Sequence, residues 1–241
     1  MTTIYARAVG AWIYARPELP AWLEPYAHPP GELPRAALLP PRAAARASLL
    51  TRLFAEVVGQ VSGDAALPMV FGSGNGEIAV TSVLLSMMNR GDRALSPARF
   101  QSSVHNTAAG QLSIALRNRT PATCLAAGNA TPAACFEEAA AQLALEGGEI
   151  VVALADEAAP EFIASQAPCS ALALAVRLSA APAAGALRLQ LTAAGAASAP
   201  EPPPIANPCA SALPLWAALV ERRAIDVSLP AAWPLTIQVS R

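Results

Sequence analysis

The chain has 241 residues, a formal net charge of −1, 54% apolar residues and only 14% charged ones. That length buries a real core, and with no basic run longer than Arg222-Arg223 it excludes a nucleic-acid partner, which needs a concentrated basic face. Ile4–Ile13 alternates and holds Arg7, and the apolar run Cys169–Val176 is cut by Arg177, so a cytoplasmic protein with no leader and no transmembrane segment is expected.

Ile4–Ile13 reads as a first strand. Residues 16–41 are crowded with prolines and read as an extended loop. Arg42–Gln60 places Leu49, Leu50, Leu53, Phe54, Val57 and Val58 at helical spacing, an amphipathic helix. Leu67–Phe71 is a short buried strand that ends in Gly72-Ser73-Gly74-Asn75-Gly76-Glu77 before a helix over Ile78–Met88. That turn lacks the lysine of a phosphate loop and the spacing of a dinucleotide fingerprint, so it reads as a tight strand-to-helix bend. Asn89–Ser103 is a loop with Gly91-Asp92 and Ser96-Pro97 as turn signals. A helix follows over Val104–Leu116, a strand over Ala122–Ala127, a helix over Ala130–Leu145 and a strand over Glu149–Ala155. The alternation predicts a layered α/β domain with a mainly parallel sheet. Asp156-Glu157 reads as a solvated strand end whose two side chains point to opposite faces. Strands over Cys169–Leu178 and Leu187–Leu191, an Ala/Pro-rich loop over Thr192–Pro208, a helix over Leu213–Arg223 and a strand over Leu235–Val239 complete the chain. The division is a first unit over 1–160 and an abbreviated second one over 161–241 that packs on the same core.

The core is built from Ala, Leu and Val, and alanine buries little area. Cover from a second subunit accounts for the apolar excess; an alanine bias from a GC-rich genome accounts for it equally, and all 16 basic residues are arginine. The four cysteines, Cys124, Cys135, Cys169 and Cys209, have no metal spacing and read as buried, reduced small hydrophobes. No metal and no cofactor is expected. Cys124 lies inside a strand, where a thiol is shielded and its pKa raised. His28 and His105 are the only histidines, and His105 reads as a hydrogen-bonded interface or capping residue rather than a base. Gly72-Ser73-Gly74 lacks the nucleophile-elbow pattern of a serine hydrolase.

The most informative stretch is the turn Leu125-Ala126-Ala127-Gly128-Asn129-Ala130-Thr131, preceded by Phe100–Asn106, Ala108-Ala109-Gly110-Gln111 and Arg119-x-Pro121, and followed by a helix and a strand. This arrangement resembles the N-terminal half of a β-ketoacyl synthase. More narrowly it resembles the short chain-length-factor-like proteins of aryl polyene (xanthomonadin-type) gene clusters. The resemblance implies a thiolase-like layered α/β fold, with the N-terminal ketosynthase half retained and the C-terminal half truncated. In its register Asn129 stands where ketosynthases carry the catalytic cysteine. An amide is no nucleophile, and both histidines precede the turn, so the two catalytic histidines of the second half are missing as well.

What the resemblance implies is therefore a catalytically inactive subunit. It would pair with an active ketosynthase in a heterodimer, meet acyl carrier protein through that complex, and help to wall the acyl tunnel. The helix from Val104 and the strand near Thr123 would meet the partner. His105, Asn106, Ala108, Ala109, Gly110, Gln111 and Thr123 would line the seam, and Asn129 would fill the vestigial pocket. Two other readings stay open: an acyltransferase or condensing enzyme using a non-standard thiol such as Cys124, and a module that holds an acyl chain without a condensing partner.

Overall fold

The structure, a computed structural model, describes residues 1–15, 19, 21–29, 31–63, 65–92, 96–164, 169–193, 205–232 and 234–240. Its strands are β1 (Thr2–Tyr14), β2 (Ala27–His28), β3 (Met69–Gly72), β4 (Ala122–Leu125), β5 (Glu149–Asp156), β6 (Leu172–Ser179), β7 (Leu187–Ala193), β8 (Ile225–Leu229) and β9 (Leu235–Ser240). The α-helices are α1 (Pro41–Ala44), α2 (Leu49–Ser62), α3 (Ile78–Asn89), α4 (Pro97–Gln101), α5 (Thr107–Ala115), α6 (Thr131–Glu146), α7 (Glu161–Ala164) and α8 (Leu213–Glu221). Short 3₁₀ turns cover Ala21–Tyr26, Gly128–Ala130 and Pro208–Ala212.

All of the strands join one nine-stranded sheet in the order β4-β3-β5-β6-β1-β7-β9-β8, with β2 attached to β1. The expectation of a mainly parallel sheet is corrected. Only β3–β4, β3–β5 and β1–β2 pair in parallel, whereas β5–β6, β6–β1, β1–β7, β7–β9 and β9–β8 pair antiparallel. Parallel neighbours need long crossovers; α6 lies in one between β4 and β5, and the link that carries α8 is long enough for another between β7 and β8, but β9 follows β8 as a hairpin and fits antiparallel between them. Three further differences concern loops. The expected loop over 89–103 contains α4, the proline-rich segment contains a 3₁₀ turn and β2, and β8 had not been assigned. Most of the expected Ala/Pro-rich loop, residues 194–204, lies outside the described residues.

Two cores flank the sheet, and their composition explains how so much alanine packs. On one face α2 brings Leu50, Leu53, Phe54, Val57, Val58 and Val61 against small sheet residues, among them Ala153, Ala155, Ala173 and Ala175. On the other face the relation inverts. The sheet offers Ile150, Val152, Leu154 and Leu174, and α6 meets them with Ala133, Ala139 and Ala140 around Phe136. Large against small on each side keeps the density of a protein interior. The β7–β9–β8 end is covered on one face only, by α8, with Leu189, Val227 and Ile237 inward and Arg188, Gln190 and Gln238 exposed or half-exposed.

Gly72 shows how tight this packing is. A Cβ there would stand 2.5 Å from Cys135 Sγ and 2.7 Å from Leu154 Cδ2. Gly72→Ala is therefore expected to cost about 1–3 kcal/mol by overpacking, read as a lower urea midpoint at unchanged slope.

Candidate functional site

Strand β4 ends at Leu125, and the chain reverses through Gly128, whose φ of 55° suits glycine, into the first turn of α6. Thr131 fixes the turn: its Oγ1 accepts from Ala127 N at 3.0 Å and donates to Gly128 O at 2.7 Å. Asn129 is exposed just before α6, and its amide has no hydrogen-bond partner among the described residues. A nucleophile here would face solvent or a partner at a helix N-terminus.

The glycine-rich turn after β3 abuts the elbow. Leu125 O accepts from Ser73 N at 3.1 Å, and His105 Nε2 lies 3.2 Å from the same oxygen. The imidazole is wedged: a Cβ on Gly76 would stand 3.0 Å from His105 Nδ1. His105 thus ties α5's approach to the elbow.

Beneath this turn lies a finding that corrects the reading of Asp156-Glu157 as solvated. Both are buried, at 0% and 2% exposure. They do point to opposite faces, but each face supplies donors instead of water. Asp156 accepts from Ser73 Oγ at 2.8 Å, Gly74 N at 3.0 Å and Asn75 N at 2.8 Å, and Cys209 Sγ donates to it at 3.3 Å. Glu157 accepts from Ala79 N at 2.9 Å and from Leu50 N, in the first turns of α3 and α2. Burial raises the pKa of both carboxyls against these hydrogen bonds, which lower it. One signal in the sequence could have located them. A Gly-Ser-Gly-Asn-Gly turn exposes several backbone N–H groups that must find acceptors, and an acid pair at the end of the adjacent strand supplies them.

Glu77 completes the cluster and was not singled out from the sequence. It is 2% exposed, and its Oε1 accepts from Ser48 Oγ at 2.9 Å and Thr51 Oγ1 at 3.2 Å, while Oε2 is buried without a partner. Burial, followed by the nearby Glu157 charge, pushes its pKa up to about 7 despite the two hydroxyls. The unfolded chain ionises Glu77 near its ordinary value of 4.5. The cost of charging it in the fold is therefore absent at pH 4.5, grows as pH rises toward 7, and is complete above it. Glu77→Gln is expected to raise the melting temperature at pH 8, by a gain on the order of 2–3 kcal/mol, and to leave it nearly unchanged at pH 4.5.

The C-terminal segment closes the floor. Asn207 Nδ2 donates to Ser170 O at 2.7 Å and its Oδ1 accepts from Cys209 N at 2.7 Å. Pro208 presses on the glycine turn so closely that a Cβ on Gly74 would stand 2.5 Å from it and 3.3 Å from Gly128 O. The space under the elbow is filled by this chain's own Pro208 and Cys209.

Three of the four thiols are shielded against acting as nucleophiles. Burial pushes Cys135 up to about 12, and raises Cys209 and the half-buried Cys124. The candidate seam residues divide. Asn106 and Gly110 are exposed, and His105, Gln111 and Thr123 are half-buried, but Ala108 and Ala109 are 2% and 5% exposed within the α2–α5 core, so they do not face outward. The reason is helical phase: the small residues on α5 serve its approach to α2. Thr123 turns to the opposite sheet face, where Gln142 Nε2 donates to it at 3.2 Å. At this end β4 is the edge strand with α5 packed on it, and Phe100 on α4, Val104 before α5 and Ile114 on α5 leave apolar surface at 64%, 43% and 80% exposure. Among the described residues no group of three His, Cys, Asp or Glu could hold a metal, and no helix is long and apolar enough to cross a membrane.

No curated protein matches the chain. Among solved structures it is similar, at a TM-score of 0.74 and 19% identity, to a chain of the complex of a ketosynthase (ApeO) with its chain length factor (ApeC) from Xenorhabdus doucetiae, with 100% of both chains covered. It is also similar to a chain of the ishigamide ketosynthase/chain length factor, at a TM-score of 0.61 and 16% identity, covering 80% of this chain and 68% of that one. A β-ketoacyl synthase from Burkholderia phymatum STM815 follows at 0.55 and 10%, covering 74% and 59%. These likenesses establish a thiolase-like ketosynthase fold. The sequence model described as "Beta-ketoacyl synthase, N-terminal domain" matches residues 19–231. Since that model spans well over half of the chain, the chain belongs to the β-ketoacyl synthase N-terminal domain family.

Proposed function

We propose that this chain is a non-catalytic chain length factor, which pairs in the cytoplasm with an active β-ketoacyl-acyl-carrier-protein synthase and walls the tunnel for its growing acyl or polyene chain. One observation carries the reading: the elbow presents an exposed Asn129 amide, which in the register of the resemblance stands where the reaction would need a thiolate. Neither histidine can substitute, since His105 is held at Leu125 O and His28 lies 3.2 Å from Glu32 in the N-terminal region. The solved complexes of ketosynthases with chain length factors support the assignment. Meeting the partner falls to the β4 edge with Phe100, Val104, Ile114, Asn106 and Gly110. Because Pro208 and Cys209 fill the floor of the elbow, an acyl chain runs along the outer, partner-facing side. The pathway follows the resemblance to aryl polyene clusters, and carrier protein is met through the complex.

The test is co-expression with the cognate ketosynthase, followed by a chain-extension assay with that enzyme's cysteine replaced by alanine. The expected results are a stable heterodimer, no two-carbon extension, and no acyl adduct on this chain by intact mass. Asn129→Cys is expected to restore no extension in the same complex, since no imidazole is placed to assist decarboxylation. Extension by the wild-type chain, or an adduct on Cys124, would instead establish an enzyme in its own right.

A further inference from the structure

Strand β1 has a stretch with no strand beside it on one edge. β7 pairs with Thr2–Ala6 and β2 with Ile13 and Tyr14, so Arg7–Trp12 have no strand there. One side chain stands in for part of it: the Gln60 amide accepts from Ala11 N at 2.9 Å and donates to Ala11 O at 3.3 Å. Gly10 admits Gln60 this closely, since a Cβ there would stand 2.7 Å from its Oε1.

Beside this gap opens a cavity of about 310 Å³, lined in part by Val9, Tyr26, Leu187, Trp216, Val220 and Arg222. Ala8–Ile13 pair with β6 in unbroken register after a bulge at Arg7. In an antiparallel ladder alternate residues direct their N–H and C=O to the same edge. Val9, two residues before Ala11, therefore offers to the cavity the donor–acceptor pair that Ala11 offers to Gln60. The lining mixes the apolar Leu187, Trp216, Leu219 and Val220 with the polar Arg7, Gln60 and Arg222, whose Nη1 donates to Gly185 O at 2.9 Å.

We propose that this cavity binds a small extended acyl amide. Its amide group pairs with Val9 N–H and C=O as the Gln60 amide pairs with Ala11, and its acyl tail lies against Leu187 and Trp216. The volume sits at the small end of ligand pockets, about 300–1,000 Å³, which suits a short tail. The site is remote from the elbow in sequence and lining, and it stands whether or not the chain is a chain length factor.

The probe is N-hexanoylglycine, titrated calorimetrically into the chain in its purified form, with the partner bound where that form contains one. Hexanoyl glycolate, the ester that lacks the N–H, is the comparison. Saturable binding of one N-hexanoylglycine per chain is expected, about tenfold or more tighter than the ester, and lost in Val220→Trp, which fills the cavity. Equal affinity for amide and ester, binding that survives Val220→Trp, or binding of neither at millimolar concentration overturns the proposal. The amide–ester comparison needs only wild-type protein, so a misfolded variant does not spoil the test.

Discussion

Asp156→Ala is expected to lower the unfolding free energy by about 2–4 kcal/mol, since it strands the buried Ser73 hydroxyl and two part-buried backbone N–H groups. Ser73 Oγ, Gly74 N and Asn75 N all converge on this carboxylate, and Cys209 Sγ reaches it from the C-terminal segment. The loss would be read as a lower urea midpoint and as faster backbone hydrogen exchange over Ser73–Gly76. Asp156→Asn keeps one acceptor oxygen and the volume, so its loss should be about half as large. If the alanine variant melts with the wild type, the carboxylate does not anchor the turn. The elbow would suffer with it, because Ser73 N also donates to Leu125 O.

Ile114→Asp should separate folding from assembly. Ile114 is 80% exposed on α5, which packs on the edge strand β4. A charge there leaves the isolated fold within about 0.5 kcal/mol of the wild type. In the proposed heterodimer the carboxylate would be desolvated against an apolar surface. Central interface positions cost 2 kcal/mol or more when disrupted, so affinity for the ketosynthase should fall at least about thirtyfold. Co-purification and the dissociation constant report it. An unchanged affinity would move the interface away from this edge.

Much of this molecule was legible in the sequence, where periodicity was long and unambiguous. The strand that begins the chain and the strand–turn–helix at Asn129 lie close to their expected bounds, whereas the helix carrying Leu50, Leu53, Phe54, Val57 and Val58, expected from Arg42, begins at Leu49 after the separate α1. β8 escaped because its five residues bury only Val227 and Leu229 between an arginine pair and a proline. Sheet direction escaped because hairpin and crossover links differ in length, and masses of alanine hide where helices stop. The acid pair was misjudged for a different reason. Alternation along a strand dictates which way a side chain points, but the donors that make burial tolerable lie about eighty residues away in the glycine turn. The α5 alanines were assigned outward because smallness suits any close contact; only the three-dimensional neighbour, α2, decides which.

The place of β1 has a consequence for how the protein is made. It leaves the ribosome ahead of the other described strands and is a central one in the finished sheet, yet its long ladder partners lie at Leu172–Ser179 and Leu187–Leu191. At about 5–20 residues per second, the nascent segment waits roughly 10–30 s before either can be translated. Through that interval β1 has α2 within reach but neither long ladder partner, so slow translation and chaperone supply should govern the yield of native protein more than the stability of the finished fold does.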